Sequence, residues 1–192
     1  MSTTKAKANT NKSRFRTAEM AYIALFAVII AVCSWISVPV TVPYTLQTFG
    51  IFTSLLILGG KRGTISVLLY ILLGATGLPV FSGFLGGIGV LLGARGGYII
   101  GFLIMAIIYW ITEQIFGHRL IPSVLSMLIG LFALYTIGTL WFVYVYANTN
   151  AASDIGYLTA LKLCVLPFII PDLLKMFFAF LIARRLKILV NL

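Results

Sequence analysis

The stretch TAEMAYIALFAVIIAVCSWI, Thr17–Ile36, carries one charge, Glu19, near its start, and VPVTVP, Val38–Pro43, follows it. A helix over this stretch is about 30 Å long, the thickness of a bilayer's hydrocarbon core, and two prolines four residues apart stop it. No small-x-small cleavage pattern precedes Pro39, so the run reads as a retained first helix and not as a signal peptide. Outward from it, no acidic or basic residue lies between Glu19 and Lys61, between Arg62 and Arg95, or between Arg119 and Asp154. Each gap has room for at least one membrane crossing. With 61% of its 192 residues hydrophobic and 9% charged, the chain has more apolar surface than a soluble domain of its size can bury.

The formal net charge of +10 does not form a basic face interleaved with aromatics, which argues against nucleic acid. Instead the cations punctuate apolar runs, as topogenic charges do. Residues 1–16, with Lys5, Lys7, Lys12, Arg14 and Arg16, read as a disordered cytoplasmic arm, and residues 17–192 as one transmembrane domain. Gly59-Gly60-Lys61-Arg62-Gly63 and Gly117-His118-Arg119 read as basic cytoplasmic turns, and Arg184-Arg185-Leu186-Lys187 as a cytoplasmic end. Together with the arm they collect every Lys and Arg except Arg95, Lys162 and Lys175, which puts both termini in the cytoplasm. The proline loop and the polar stretch Asn148–Gly156, with Asp154, then lie outside.

Helices are expected over about 17–36, 44–58, 64–74, 96–116, 123–147 and 157–183. The fold class is therefore all-α, an integral membrane bundle of about six transmembrane helices. The second run is short for a span, and Gly77–Gly87 is apolar but too glycine-rich for a plain helix, so it must be shielded by protein or line a cavity.

Chemistry is confined to a few places. Pro171-Asp172-Leu173-Leu174-Lys175 puts an acid and a base three apart on one face of an apolar helix, where charges are usually functional; the competing reading is a structural staple. Arg95 stands in Gly93-Ala94-Arg95-Gly96-Gly97-Tyr98 at the expected outer start of a helix, where a guanidinium and free N–H groups attract a carboxylate, unless it is an interfacial anchor. The ladder Gly89, Gly93, Gly97, Gly101 admits either a ligand or another backbone. Thr45 and Gln47, in Tyr44-Thr45-Leu46-Gln47-Thr48, offer hydroxyl and amide groups at the outer boundary, and Phe81, Phe84, Tyr98 and Tyr146 are candidates for a stacking wall.

On the first helix Ala24, Ala27 and Ala31 lie within about 60° at 100° per residue, a stripe for packing inside the bundle or for docking another membrane subunit. Cys33 and Cys164 lie in separate apolar runs without C-x-x-C spacing and read as unpaired small side chains. Dinucleotide-loop and P-loop spacings are absent, His118 is a lone histidine, and four acids leave little for catalysis or for a metal. The chain is expected to be no enzyme, to hold no cofactor, and, if it drives active transport, to take the energy from elsewhere.

Pro43-Tyr44-Thr45-Leu46-Gln47-Thr48-Phe49, Gly77-Leu78-Pro79-Val80-Phe81, the run Gly93–Gly101 and Pro167–Lys175 together resemble the BioY family, the biotin-specific S components of energy-coupling factor transporters. The resemblance spans nearly the whole chain beyond the basic arm. It implies a six-helix S-component fold in a bacterial plasma membrane, capturing biotin near the outer surface and docking through its first helix onto a transmembrane coupling subunit with two ATPases. The family's Ala-x-x-x-Ala docking pattern falls on Ala27 and Ala31, with Ala24 beside it, and release would follow toppling of the subunit in the membrane. The ligand set expected on all these grounds is Thr45, Gln47, Phe81, Gly86, Arg95, Gly97, Tyr98, Tyr146, Asp172 and Lys175, with biotin as cargo. In this scheme Asp172 accepts a ureido N–H, Lys175 orients it, Thr45 and Gln47 complete the head-group site, and Arg95 meets the carboxylate. A carrier for another vitamin-like solute and a non-binding membrane scaffold are the rival readings.

Overall fold

Apolar runs bounded by glycine and proline become helices in the computed structural model, which describes residues 2–38, 43–149 and 157–186. In chain order they are α1 (Ser2–Trp35), α2 (Gln47–Leu58), α3 (Gly60–Ala75), α4 (Ile88–Leu92), α5 (Gly96–Phe116), α6 (Leu120–Thr149), α7 (Tyr157–Cys164) and α8 (Leu166–Leu186). A short antiparallel hairpin, β1 (Ser37–Val38) with β2 (Tyr44–Thr45), joins α1 to α2, pairing Ser37 with Thr45 and Val38 with Tyr44. Thr17–Trp35, Gly96–Phe116, Leu120–Asn148 and Leu166–Leu186 are long and apolar enough to cross a membrane. The 12-residue α2 is buried at every position except Phe49, which explains why it is apolar all round and yet short. It is an interior post, packed on α1, α3 and α8.

Side-chain notches set the spacing of α5 and α6. A Cβ on Gly97 would stand 2.3 Å from Trp141 Cβ, and one on Gly101 2.7 Å from Leu134 Cδ1. In return, Tyr98 fills the space a side chain on Gly138 would need, and Met105 the space at Gly130. Each helix thus seats bulky residues in the other's glycines, the close approach that small residues permit between membrane helices. At one end of the bundle Arg62 pairs with Glu19 at 2.6 Å, joining α3 to α1. There Glu113 pairs with His118 at 2.7 Å and accepts the Gly60 N–H, joining the end of α5 to the start of α3. Arg119, Arg184 and Arg185 lie at the same ends of their helices, so this is the basic end.

The structure departs from the sequence reading in several places. Residues 2–16 continue α1 as helix where a disordered arm is expected; extending an existing helix needs no new nucleus, and this segment's Lys and Ala residues are good helix formers. The basic turn contracts to Gly59 alone, whose φ of +81° suits a residue without a Cβ, and α3 starts at Gly60. The expected last helix is two, broken at Val165 ahead of Pro167, which sits in the first turn of α8 where its missing N–H leaves no bond unmade. Ala27 and Ala31, expected on a docking face, are turned into the bundle at 1% and 5% exposure, while Ala24 is exposed. The 60° that separates Ala24 from Ala27 straddles the edge of the buried face of α1. Residues 39–42 of the proline loop, Asp154 with residues 150–156, and Lys187 lie outside the described residues.

Candidate functional site

Asp172 is the only buried charged side chain among the described residues, 2% exposed in the middle of α8, and three elements converge on it. From α2, Thr48 Oγ1 donates to Oδ1 at 2.8 Å. From α6, the Tyr135 hydroxyl donates to Oδ2 at 2.6 Å. One turn along α8, Lys175 Nζ donates to Oδ1 at 2.8 Å and also to the Thr45 carbonyl of β2 at 2.7 Å. An ammonium has three N–H donors, so Lys175 keeps one for a solute, and Asp172 Oδ2 keeps accepting capacity beyond Tyr135. A buried pair held by this many hydrogen bonds is compensated in place and needs no rearrangement to present those groups.

Around the pair lies a cavity of about 700 Å³, counting its mouth, at the end of the bundle away from the basic clusters. Gln47 Nε2 donates to the Tyr70 hydroxyl at 3.1 Å, leaving the Gln47 carbonyl as an acceptor. Phe81, edge-on to Tyr70 with centroids 5.6 Å apart, Phe102 and Phe168 supply apolar wall. Tyr44 stacks on Phe168 at 4.1 Å; lost hydration and then the negative charge of Asp172 push its phenol above the usual range. Arg95 reaches the same cavity half-buried, and its guanidinium makes no hydrogen bond or ion pair among the described residues. The charged lining is thus Asp172, Lys175 and Arg95, a net +1 that suits a monoanion with a neutral polar head.

The Gly77–Gly87 segment covers one side of this cavity. Phe81 and Leu85 bridge across a turn in which Phe84 takes a φ of +57°, an unusual conformation for a bulky residue. Ser34 Oγ of α1 donates to the Val80 carbonyl at 2.5 Å, Trp35 Nε1 donates to the Pro79 carbonyl at 2.9 Å, and Trp35 stacks on Phe84 at 5.1 Å. Shielding by α1 explains how irregular backbone this apolar is tolerated.

Of the ten residues expected at a ligand site, Thr45, Gln47, Phe81, Arg95, Tyr98, Asp172 and Lys175 line the cavity. The other three do not. Gly86 packs on the Gly77 and Leu78 backbone, Gly97 receives Trp141 between α5 and α6, and Tyr146 stacks on Phe142 at 5.7 Å. Thr48, Tyr70 and Tyr135 were not singled out, because hydroxyl-bearing residues inside apolar helices usually bond their own backbone. The capacity of Tyr135 to reach Asp172 exists only once α6 and α8 are placed together.

The profile of the BioY family matches residues 5–191. A probable biotin transporter BioY of Pyrococcus horikoshii is 41% identical over 170 residues, 88% of this chain and 96% of that protein. Biotin transporter BioY of Thermotoga maritima is 38% identical over 167 residues, 85% of this chain and 92% of that protein. The crystal structure of an S component for biotin from an ECF-type ABC transporter superposes with a TM-score of 0.77 at 28% identity, covering 91% of this chain and 93% of the other.

Proposed function

This chain belongs to the BioY family, and from that premise we propose that it captures biotin and carries it into the cell as the substrate-binding subunit of an energy-coupling factor transporter. The family is one of transport proteins, not enzymes. The observation that carries the reading to particular residues is one cavity holding the buried Asp172–Lys175 pair together with Arg95, whose guanidinium has no hydrogen-bond or ion-pair partner among the described residues. Biotin has a neutral ureido ring with two N–H donors and a carbonyl, an apolar thiophane and chain, and one carboxylate. In our reading Asp172 accepts from a ureido N–H, the remaining Lys175 proton meets the ureido carbonyl, Gln47 completes the head, the aromatic wall holds the apolar portion, and Arg95 takes the carboxylate. No cofactor enters this scheme; biotin is cargo.

Six membrane-crossing helices, with α2 and α3 as the short ones and α7–α8 as one broken span, and both termini in the cytoplasm, are part of the same proposal. The charge distribution supports it. A transmembrane coupling subunit with two ATPases is the proposed source of energy. The apolar stripe that α1 exposes at Met20, Ala24, Val28 and Val32 is the face we assign to it, in place of Ala27 and Ala31.

Isothermal titration of purified, ligand-stripped protein is the test. Biotin binds tightly, and biotinamide, which lacks the carboxylate charge, binds about tenfold more weakly, the worth of one charge-assisted hydrogen bond near solvent. In Arg95→Gln the two ligands bind alike. A folded protein giving no heat with biotin would remove the biotin reading, and an undiminished preference for biotin in Arg95→Gln would remove the role of Arg95. Tyr135→Phe, which deletes one hydrogen bond to a buried carboxylate, weakens biotin about tenfold in the same titration while leaving the amide's relative affinity unchanged.

A further inference from the structure

We propose that the cleft between α6 and α8 binds an acidic phospholipid, with its phosphate at the basic end of the bundle and an acyl chain along the two helices. Because α6 packs on α5 and α8 on α2, the two diverge from one another. At the basic end lies a hollow of about 980 Å³, counting its mouth, and Arg119, Arg184, His118 and Ser123 face it with no carboxylate among its lining residues. The neighbouring Glu113 is engaged by His118 and by the Gly60 N–H. Beside these cations stand exposed Leu120, Phe177 and Leu181. Further along, a mostly apolar hollow runs between Leu128 and Phe132 of α6 and Ile169 and Leu173 of α8, ending at Tyr135 and Thr136.

Cationic and apolar portions therefore follow one another along the helix axes, as head and tail do in a lipid. From Ile169 to Arg184 the two hollows together span about 22 Å at 1.5 Å per residue, close to the depth of one leaflet with its headgroup region. Inorganic phosphate has the charge for Arg119 and Arg184 but leaves the apolar walls bare, and a zwitterionic lipid fills the walls without the matching net charge. Basic pockets between membrane helices commonly select anionic headgroups. Tyr135 lines this cleft and the solute cavity alike, so the far end of the lipid site adjoins the group that holds Asp172.

Native mass spectrometry of the full chain with equimolar phosphatidylglycerol and phosphatidylcholine tests the proposal. Phosphatidylglycerol is retained preferentially, and Arg119→Gln or Arg184→Gln lowers its retention about fivefold each, roughly the worth of one interfacial cation. Arg185→Gln, at the same helix end but outside the cleft lining, leaves it unchanged. Leu128→Trp keeps every charge, obstructs the apolar part and also lowers retention, and melting curves verify that each variant is folded. Equal retention of the two lipids overturns the proposal, as does an Arg185→Gln loss equal to that of Arg119→Gln. Complete displacement by millimolar inorganic phosphate would identify free phosphate as the ligand, and a lipid-free dimer would identify a second copy as the occupant; either overturns it.

Discussion

Asp172→Asn lowers biotin affinity by about a hundredfold or more in isothermal titration. The substitution keeps the size of the side chain and removes its charge, so Lys175, whose side chain is 13% exposed, loses its counter-charge and keeps only neutral acceptors, the Thr45 carbonyl and the new amide oxygen. Breaking one partner of a buried pair costs about 3–5 kcal/mol, and an amide also offers a ureido N–H a weaker acceptor. Part of this penalty falls on the unliganded protein, so Asp172→Asn also melts earlier. A second variant, Asp172→Leu with Lys175→Met, separates the two roles. Apolar replacement of both members of a buried pair is often neutral for stability. If the pair recognises solute, this double variant melts near the wild-type temperature and binds no biotin. If it binds biotin normally, the pair is only a staple and the central assignment fails.

Gly97→Ala reduces stability by about 3 kcal/mol, seen as a fall of about 6–12 °C in the melting midpoint. Its new Cβ would lie 2.3 Å from Trp141 Cβ and 2.7 Å from Cγ, the root of a side chain that cannot swing aside. Trp141 is held further by its Nε1–H donating to the Gly93 carbonyl at 3.0 Å. Relief requires α5 and α6 to separate, so the loss is in packing. Trp141→Ala in the Gly97→Ala background recovers part of it. An unchanged melting point accompanied by lost biotin binding would return Gly97 to the ligand site and contradict the interface described above.

Legibility in the sequence followed the kind of signal each residue carries. Asp172 and Lys175 stand out because charge inside an apolar helix has few explanations, and Arg95 because it lies far from every basic cluster. Long helices were legible from charge-free runs, and α5 begins and ends where its glycines indicate. The glycine ladder was ambiguous in principle: a missing side chain makes room for a ligand and for Trp141 alike, and only the placement of α6 decides between them. Ala27 and Ala31 were ambiguous for the same reason, since a small residue suits an inward face, where both lie, as well as a docking face. Tyr70 and Tyr135 gave no signal because their cavity contacts come from elements distant in sequence, and Thr48, legible only as part of a hydroxyl-bearing stretch, finds its partner Asp172 124 positions away. The break at Val165 was signalled by Pro167, but proline is equally at home in the first turn of a helix and inside one, as Pro171 of α8 shows.

The ties from Ser34 and Trp35 to Pro79, Val80 and Phe84 make the cover of the solute cavity and the Trp35 end of α1 one mechanical body. The cover has no hinge of its own on that side. Whatever inclines α1 therefore displaces the wall containing Phe81, and a bilayer thinner or thicker than the apolar length of α1 inclines it at modest energetic cost. A change in bilayer thickness is therefore expected to alter the rate of biotin exchange measured in vesicles of different acyl length, in the manner of a lever whose long arm lies in the lipid and whose short arm rests on the mouth of the site.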